Sequence, residues 1–352
     1  MTTDIHLNAL YRADVEYVAS LALPWDQMSN VAVLITGASG MLGSFMVDVL
    51  MHRNLTAGMQ CKVYALGRNL ARAQKRFGAY WNSADFEFIA HDINTPLTQP
   101  LANLGYIFHL ASNTHPVAYA TDPIGTITTN IIGTHNLLEL AASQHIQRFV
   151  FASSNEVYGE NRGDVEKFDE EYCGYIDPNT LRAGYPESKR CGEALCQAYL
   201  SQKGVDVVIP RLTRSYGPTV KPEDSKAISQ FINNALRGED IVLKSAGHQQ
   251  YSFTYVADAI AGLLTVALKG TSGNAYNIAD SRSDISLREL ATIIAHAVGR
   301  TVTYDLPNAT EQKGFSKATK ALLDSTKLQG LGWTAKYDIA AGIHRTLSIM
   351  QG

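Results

Sequence analysis

At 352 residues, with 45% hydrophobic and 18% charged side chains, the chain has the make-up of a globular α/β protein and not of a disordered or fibrous one. Its net charge of -3 argues against a nucleic-acid partner, because a surface that tracks phosphates carries a basic excess. Four cysteines with no CxxC pair and no metal-like spacing to histidine predict reduced thiols, no metal site and a cytoplasmic protein. No apolar run reaches the about 20 residues that cross a bilayer, which predicts no membrane contact. A start carrying Asp4, Asp14 and Glu16 against Arg12 does not read as a signal peptide.

Residues 4–30 place Leu7, Tyr11, Val15 and Val18 at helical spacing, which predicts an amphipathic extension that caps the sheet or a subunit contact. Val31 to Leu50, VAVLITGASGMLGSFMVDVL, is then an uncharged strand, a glycine turn and an apolar helix. Gly37 allows the tight turn, Gly40 lets backbone approach a pyrophosphate, and Gly43 lets the helix pack closely; the helix amides attract the phosphate charge. Ser39, Met41 and Leu42 complete a dinucleotide cradle spaced GxxGxxG. A second strand, Cys61 to Leu66, ends at Arg68 with no acidic residue, which leaves NADP open beside the expected NAD, and a solvated surface arginine is an equal reading of Arg68. Phe86 to Ala90 is the third strand, with Asp92 and Ile93 placed for the adenine; Tyr106 to Leu110 is the fourth, bringing Leu110, Ala111 and Ser112 beside the nicotinamide half.

Thr126 to Ala142 reads as a long helix with Gly133 packed on the sheet, and Arg148 to Ser153 as a further buried strand. Strands alternating with helices predict a Rossmann-type doubly wound parallel sheet. At the end of that last strand stands Ser154, and later Tyr185 and Lys189, four apart and therefore on one helix face. An ammonium beside a phenol favours phenolate, which suits a base that removes a hydroxyl proton. Lys189 and Tyr185 are also expected against the cofactor.

These motifs resemble the extended short-chain dehydrogenase/reductase family: GASGMLG its cofactor turn, SSNEVYG its serine strand, YPESK its catalytic helix and RLTRSYGP its RxxNxYGP motif. Within it, YATDPIGTITTNIIGT, SSNEVYGE and EEYCGYIDPNTLRAGYPESKR are most similar to the UDP-glucuronate decarboxylases. The resemblance implies Ser154, Tyr185 and Lys189 as the catalytic triad and Glu156 as a catalytic glutamate. Asn155, where dehydratases resemble one another in carrying aspartate, disfavours dehydration because an amide transfers no proton readily. Arg182 matches an arginine of the decarboxylase pattern that would hold a carboxylate, or else makes a structural ion pair with Glu170 or Glu171. Arg211 is carried over as substrate-binding. Two positions depart from the family: its diphosphate-contacting asparagine is Arg214 here, and the arginine of its GxQxRxFxYVxD pattern is Tyr251, so Arg214 is expected to take over part of the diphosphate contact. The resemblance implies a nucleotide-sugar substrate oxidised transiently at C4 by NAD(P), and decarboxylation of UDP-glucuronate to a UDP-pentose. A 4-epimerase is the alternative, with a 4,6-dehydratase or noncatalytic dinucleotide sensor behind it, and a homodimer is expected.

The rest predicts a smaller C-terminal substrate-binding lobe: a helix over Asp224–Gly238, a short strand at Ile241–Lys244, a helix from Tyr255–Asp258 onward, and a capping box at Ser286 and Glu289 opening a helix to Gly299. The expected division is an extension over 1–30, a dinucleotide-binding domain over 31–210 with a segment returning near 251–280, and a lobe from 211–250 and 281–352.

Overall fold

The computed structural model describes residues 4–114, 116–305 and 319–352. Within these, eight strands form one wholly parallel sheet: β1 (Ala32–Thr36), β2 (Lys62–Gly67), β3 (Phe86–Ala90), β4 (Leu104–His109), β5 (Arg148–Phe151), β6 (Ser153–Ser154), β7 (Val207–Leu212) and, after the lobe strands below, β11 (Ala275–Ile278). The spatial order is β11-β7-β5-β4-β1-β2-β3, with β6 continuing β5 beside β7. The order reverses between β1 and β4, and in such sheets ligands bind at the carboxyl ends beside that reversal. All five residues of β1 are buried, as a strand covered on both faces requires.

The alternation of β1 feeds two cores. Val33 and Ile35 pack with α1 (Ala9–Ala19), α2 (Met41–Ala57) and α8 (Val256–Lys269), while Ala32 and Leu34 pack with α5 (Pro123–Ser143) and α6 (Gly184–Lys203). Three shorter helices, α3 (Leu70–Arg76), α4 (Pro116–Thr121) and α7 (Ala227–Leu236), border the sheet's carboxyl end. In α5, Gly133 faces the Ile93 side chain in the loop after β3, where a Cβ would come within 2.5 Å of it; the expected contact on the sheet is replaced by this one.

Beyond β7 the chain changes sheets at Thr213. β8 (Arg214–Tyr216) leaves the large sheet and pairs in parallel with β10 (Gln250–Tyr255), which in turn carries β12 (Asp284–Ser286) and β14 (Lys320–Ala321). A separate pair, β9 (Ile241–Leu243) with β13 (Val302–Tyr304), lies beside α7 and α9 (Leu287–Ala297). The capping box of Ser286 and Glu289 is present as expected, but α9 begins at Leu287 because Ile285 is taken into β12. Likewise α7 starts only at Ala227, the residues from Asp224 making a turn in which Lys226 pairs with Asp224.

The extension closes the back of the molecule. Asn8 caps α1 by accepting from the Leu10 and Tyr11 amides, and Tyr11, Val15 and Val18 are buried as the spacing predicts, whereas Leu7 lies outside the stripe and is exposed. Asp14 is fully buried: it accepts from Tyr255 Oη at 2.7 Å and Arg345 Nε at 2.9 Å, Arg345 lying on the helix Ile339–Gln351. This cover explains how α8, apolar on every side and buried along nearly its whole length, avoids water. Among the described residues no helix is long and apolar enough to cross a membrane.

Candidate active site

A cleft of about 690 Å³ runs from the β1–α2 turn across the carboxyl end of the sheet to β8, β9 and β10. At its sheet end, Gly37 adopts φ 66°, and a Cβ there would sit 2.9 Å from the Ala111 backbone. Gly43 approaches so closely that its Cβ would stand 2.5 Å from the Gly37 carbonyl oxygen. Gly40 is the N-cap of α2 and offers no side chain to the first-turn amides, which face the cleft with Ser39, Met41 and Leu42. An uncapped helix N-terminus behind a glycine turn fits a dinucleotide pyrophosphate. Arg68, Asp92 and Ile93 line the adjoining wall, and Leu110, Ala111 and Ser112 the floor beyond it, as the sequence predicts. Arg68 Nη1 stands 4.0 Å from Asp92 Oδ2, in solvent.

The groups expected to be catalytic converge where β6 ends. Ser154 caps a single 3-10 turn, Asn155–Tyr158, accepting from the Glu156 amide at 3.2 Å, so strand and turn together present Ser154, Asn155 and Glu156 to the cleft. Tyr185 and Lys189 lie on one face of α6 and line the same space. Buried amide chemistry fixes that helix: Ser112 Oγ donates to Asn130 Oδ1 at 2.8 Å, Asn130 Nδ2 to Ser188 Oγ at 2.9 Å, and Ser188 Oγ to the Tyr185 carbonyl at 2.9 Å. The floor of the cleft is thus tied to the helix that carries Tyr185. Beneath it His109 bridges Thr36 and Thr134, its pKa lowered to about 3 by burial and by the Lys189 charge, so it is a neutral strut.

One expectation fails in detail. Lys189 Nζ donates to the Ala152 carbonyl at 2.8 Å and lies 4.8 Å from the Phe151 ring centroid, and the largest influences on Tyr185 come from other groups. Burial lowers Lys189 to about 8 against the opposing pull of Glu193. Burial also pushes the Tyr185 phenol up; the Glu156 charge adds to this, while the Ser154 hydroxyl, Arg182 and Tyr119 pull it down. A shared helix face set the two side chains side by side, but the Lys189 stem follows the end of β5.

Arg182 meets neither Glu170 nor Glu171. Its Nη2 donates to both carboxylate oxygens of Glu156 at 2.6 Å, and its guanidinium lies 4.8 Å from the Tyr119 ring centroid. Tyr119 in turn stacks on Tyr185 with centroids 4.8 Å apart. Tyr119 escaped sequence reasoning: it sits inside the YATDPIG stretch, and the one local signal there, Asp122 capping α5, concerns the helix. Glu170 is turned away and accepts from the Asn277 amide at 2.7 Å.

Arg211 does not reach the cleft. On β7 its neighbour Leu212 lines the cavity, so strand alternation sends Arg211 to the other face. There Arg211 Nη2 pairs with Glu193 at 2.7 Å and Nη1 donates to Tyr158 Oη at 3.0 Å and the Glu170 carbonyl at 2.7 Å, a structural arginine. Past the sheet change, Arg214 and Tyr251 do line the cavity. The lobe wall also brings Lys221, Asp224, Lys226 and Phe231, which no motif had marked.

The NAD dependent epimerase/dehydratase family model matches residues 33–279. The chain is 33% identical to UDP-glucuronic acid decarboxylase 1 of Xenopus tropicalis over 90% of its length and 71% of that protein, and 31% identical to UDP-glucuronic acid decarboxylase 5 of Arabidopsis thaliana over 90% and 88%. In fold it is similar to a UDP-glucuronic acid 4-epimerase from Bacillus cereus crystallised with UDP-glucuronic acid and NAD, at 22% identity and TM-score 0.78, covering 91% of this chain and 99% of that one. It is likewise similar to the dTDP-glucose 4,6-dehydratase DesIV from Streptomyces venezuelae, at 25% identity and TM-score 0.78, covering 91% and 96%. A glycine cradle opening on a serine–tyrosine–lysine wall, and a match spanning most of the sheet, have one reading: the chain belongs to the NAD dependent epimerase/dehydratase family of extended short-chain dehydrogenase/reductase enzymes.

Proposed function

We propose that this enzyme decarboxylates UDP-glucuronate to a UDP-pentose, with no net redox change. The observation that carries the reading is the meeting of Ser154, Glu156, Tyr185 and Lys189 with Arg182 on one wall of the cleft, downstream of a pyrophosphate cradle. When bound, the nicotinamide supplies a reversible acceptor for the C4 hydride. Tyr185 Oη takes the C4 hydroxyl proton, with Ser154 placed to hydrogen-bond the same oxygen. In a uronic acid the ketone so formed is β to the carboxylate. The C5–C6 bond then breaks, its electron pair passes to the C4 oxygen, and carbon dioxide leaves. C5 takes a proton, and Tyr185 returns its own to the C4 oxygen as the alcohol is restored. Asn155 has no acid to offer a departing C6 hydroxyl, which disfavours dehydration.

Arg182 favours a second reading. It already faces the Glu156 carboxylate, so a substrate carboxylate must share it, whereas a 4-epimerase acting on a neutral sugar makes no such demand. Incubation of NAD-loaded protein with UDP-glucuronate and, in parallel, with UDP-glucose, read by mass spectrometry and by chromatography that resolves epimers, separates them: loss of carbon dioxide from the first supports decarboxylation, a C4 epimer supports epimerisation, and no conversion of either rejects both. We further propose a homodimer, for which the exposed Ile124 and Ile132 on α5 and Leu181 ahead of α6 offer an apolar face; light scattering tests it.

A further inference from the structure

Three cations gather at the end of the cleft nearest β2 that the reaction above does not use. β2 ends at Gly67, where a Cβ would lie 3.6 Å from Ser39 Oγ, so the strand end stands against the glycine turn. In a doubly wound sheet that point meets the adenosine ribose, and the side chains there read its 2′ position: a carboxylate accepts from a free hydroxyl, whereas an arginine accommodates a phosphate. Arg68 follows Gly67 directly, and Arg72 on α3 lines the same space. The neutral acceptor between them, Asn69, is engaged: its side chain caps α3 by accepting from the Arg72 amide at 2.8 Å.

The third cation comes from the lobe. Lys221 lies in the segment between β8 and α7, lines the cleft and is half-buried. That segment is fastened over the glycine cradle: Thr219 Oγ1 donates at 3.0 Å to the carbonyl of Met41, the first residue of α2, and Arg72 Nη2 pairs with Glu223 at 2.6 Å. The three cations are close enough to act on one another. Burial and then the Arg72 charge lower Lys221, Arg68 adding to this while Glu223 and Asp224 oppose it. The carboxylates of this corner are already matched, Glu223 by Arg72, Asp92 by Arg68 at 4.0 Å and Asp224 by Lys226 at 2.8 Å. Among the described residues Lys221 makes no ion pair. An ammonium half withdrawn from water and repelled by two guanidiniums is costly, and an anion between the three offsets that cost.

We propose that Lys221, Arg68 and Arg72 seat the 2′-phosphate of a dinucleotide, so that this enzyme takes NADP as well as NAD and holds NADP the more tightly. The phosphate draws on both lobes, the arginines offering planar forks and Lys221 a point charge. Specificity at the cofactor is thereby set in part by a side chain of the substrate lobe. The proposal concerns the cofactor alone and stands apart from which reaction follows.

Calorimetric titration of the cofactor-stripped full chain with NAD, with NADP and with 2′-phospho-AMP, which carries the group without the nicotinamide, tests it without turnover. NADP is expected to bind roughly 10-fold tighter than NAD, the gain of charge-assisted contacts in a partly open site. Its affinity is expected to fall with added salt more steeply than that of NAD. Lys221→Met keeps the apolar stem and removes the charge; it is expected to weaken NADP and 2′-phospho-AMP roughly 5- to 30-fold while NAD changes by less than about twofold. Arg68→Asp supplies the carboxylate that a free 2′-hydroxyl would donate to, and is expected to turn the preference to NAD. Should the cofactor resist stripping, exchange against equal NAD and NADP, read by mass spectrometry of the nucleotide that the denatured protein releases, gives the same ratio. NAD binding as tightly as NADP, or tighter, overturns the proposal, as does an equal loss of both dinucleotides in Lys221→Met, which would make Lys221 a support of its segment. The release of carbon dioxide from UDP-glucuronate is decided separately, so either reading can fail while the other stands.

Discussion

Two buried assemblies in this molecule are made of the same three groups, a tyrosine, a carboxylate and an arginine, and they do opposite things. At the back, Tyr11, Asp48 and Arg76 join the extension to α2 and α3. Tyr11 and Arg76 both donate to Asp48, Arg76 Nη2 also reaches Tyr11 Oη at 2.9 Å, and His6 Nε2 adds a contact to Asp48 at 3.1 Å. Asp48 is 1% exposed and its carboxyl is held down at about 2: burial opposes this, but Arg76 and His6 outweigh it. At the front, Tyr185, Glu156 and Arg182 stand on the wall of the cleft, where Arg182 Nε keeps a hydrogen unmatched. Closure separates the two. Where every donor and acceptor is spent internally the cluster is a rivet; where one side opens on a cavity the same groups remain available to a ligand.

The largest expected effect breaks the front and leaves the back untouched. Tyr185→Phe removes the proposed base and is expected to lower kcat by roughly 10²- to 10⁴-fold, with thermal melting as in wild type; a melting temperature that falls with the activity would make Tyr185 a packing residue. The converse comes next. Asp48→Ala strands Arg76 in the interior, a change of the kind that costs about 3–5 kcal/mol, and urea unfolding should register it while the folded enzyme turns over normally.

Glu156→Gln sharpens the contrast with a smaller change. Because the Glu156 charge raises Tyr185, removing it lowers the phenol's pKa, and the acid limb of the kcat profile is expected to move to lower pH. Stability should change far less than in Asp48→Ala, since Arg182 keeps its place on Tyr119 beside the open cleft. An acid limb that stays where it was would disconnect the two groups.

The smallest effect lies in two histidines. His109, at about 3, stays neutral in the fold, so the unfolded chain takes up a proton below pH 6.5 that the native state does not; its contribution to stability is lost as pH falls from 6.5 towards 3. His6 has the opposite sign: burial works against its charge, but the hydrogen bond and charge of Asp48 raise it overall. Its contribution is present below 6.5 and lost as pH rises through its folded pKa. Unfolding free energies at pH 7, 6 and 5 for wild type and His109→Asn should differ in slope by up to about 1.4 kcal/mol per pH unit, the variant being the flatter; parallel lines would mean that His109 titrates in the fold.

What the sequence made legible was local. β1 with its glycine turn, the third strand at Phe86–Ala90, the shared face of Tyr185 and Lys189, and the Ser286–Glu289 box all follow from periods of two or 3.6 residues and from caps three residues wide. What it hid was ionic and distant. Arg182 finds Glu156 across 26 residues, Arg211 finds Glu193 on a neighbouring helix, and Asp14 looks like a surface charge until Arg345 is beside it. No local pattern encodes such partners. Arg211 illustrates the cost: its motif read as substrate contact, and only the alternation of β7 against Leu212 turns it away.

The pairing of Asp14 with Arg345 has a consequence for the order of assembly. Asp14 leaves the ribosome 331 residues before its guanidinium, and Tyr255 also follows far behind. Tyr11 meets Asp48 and Arg76 early, but the Asp14 charge gains its cation only when the helix Ile339–Gln351 emerges. Docking of α1 therefore comes in two stages, and a chain that lacks Arg345 would leave Asp14 buried without its cation and α1 held less firmly over α8.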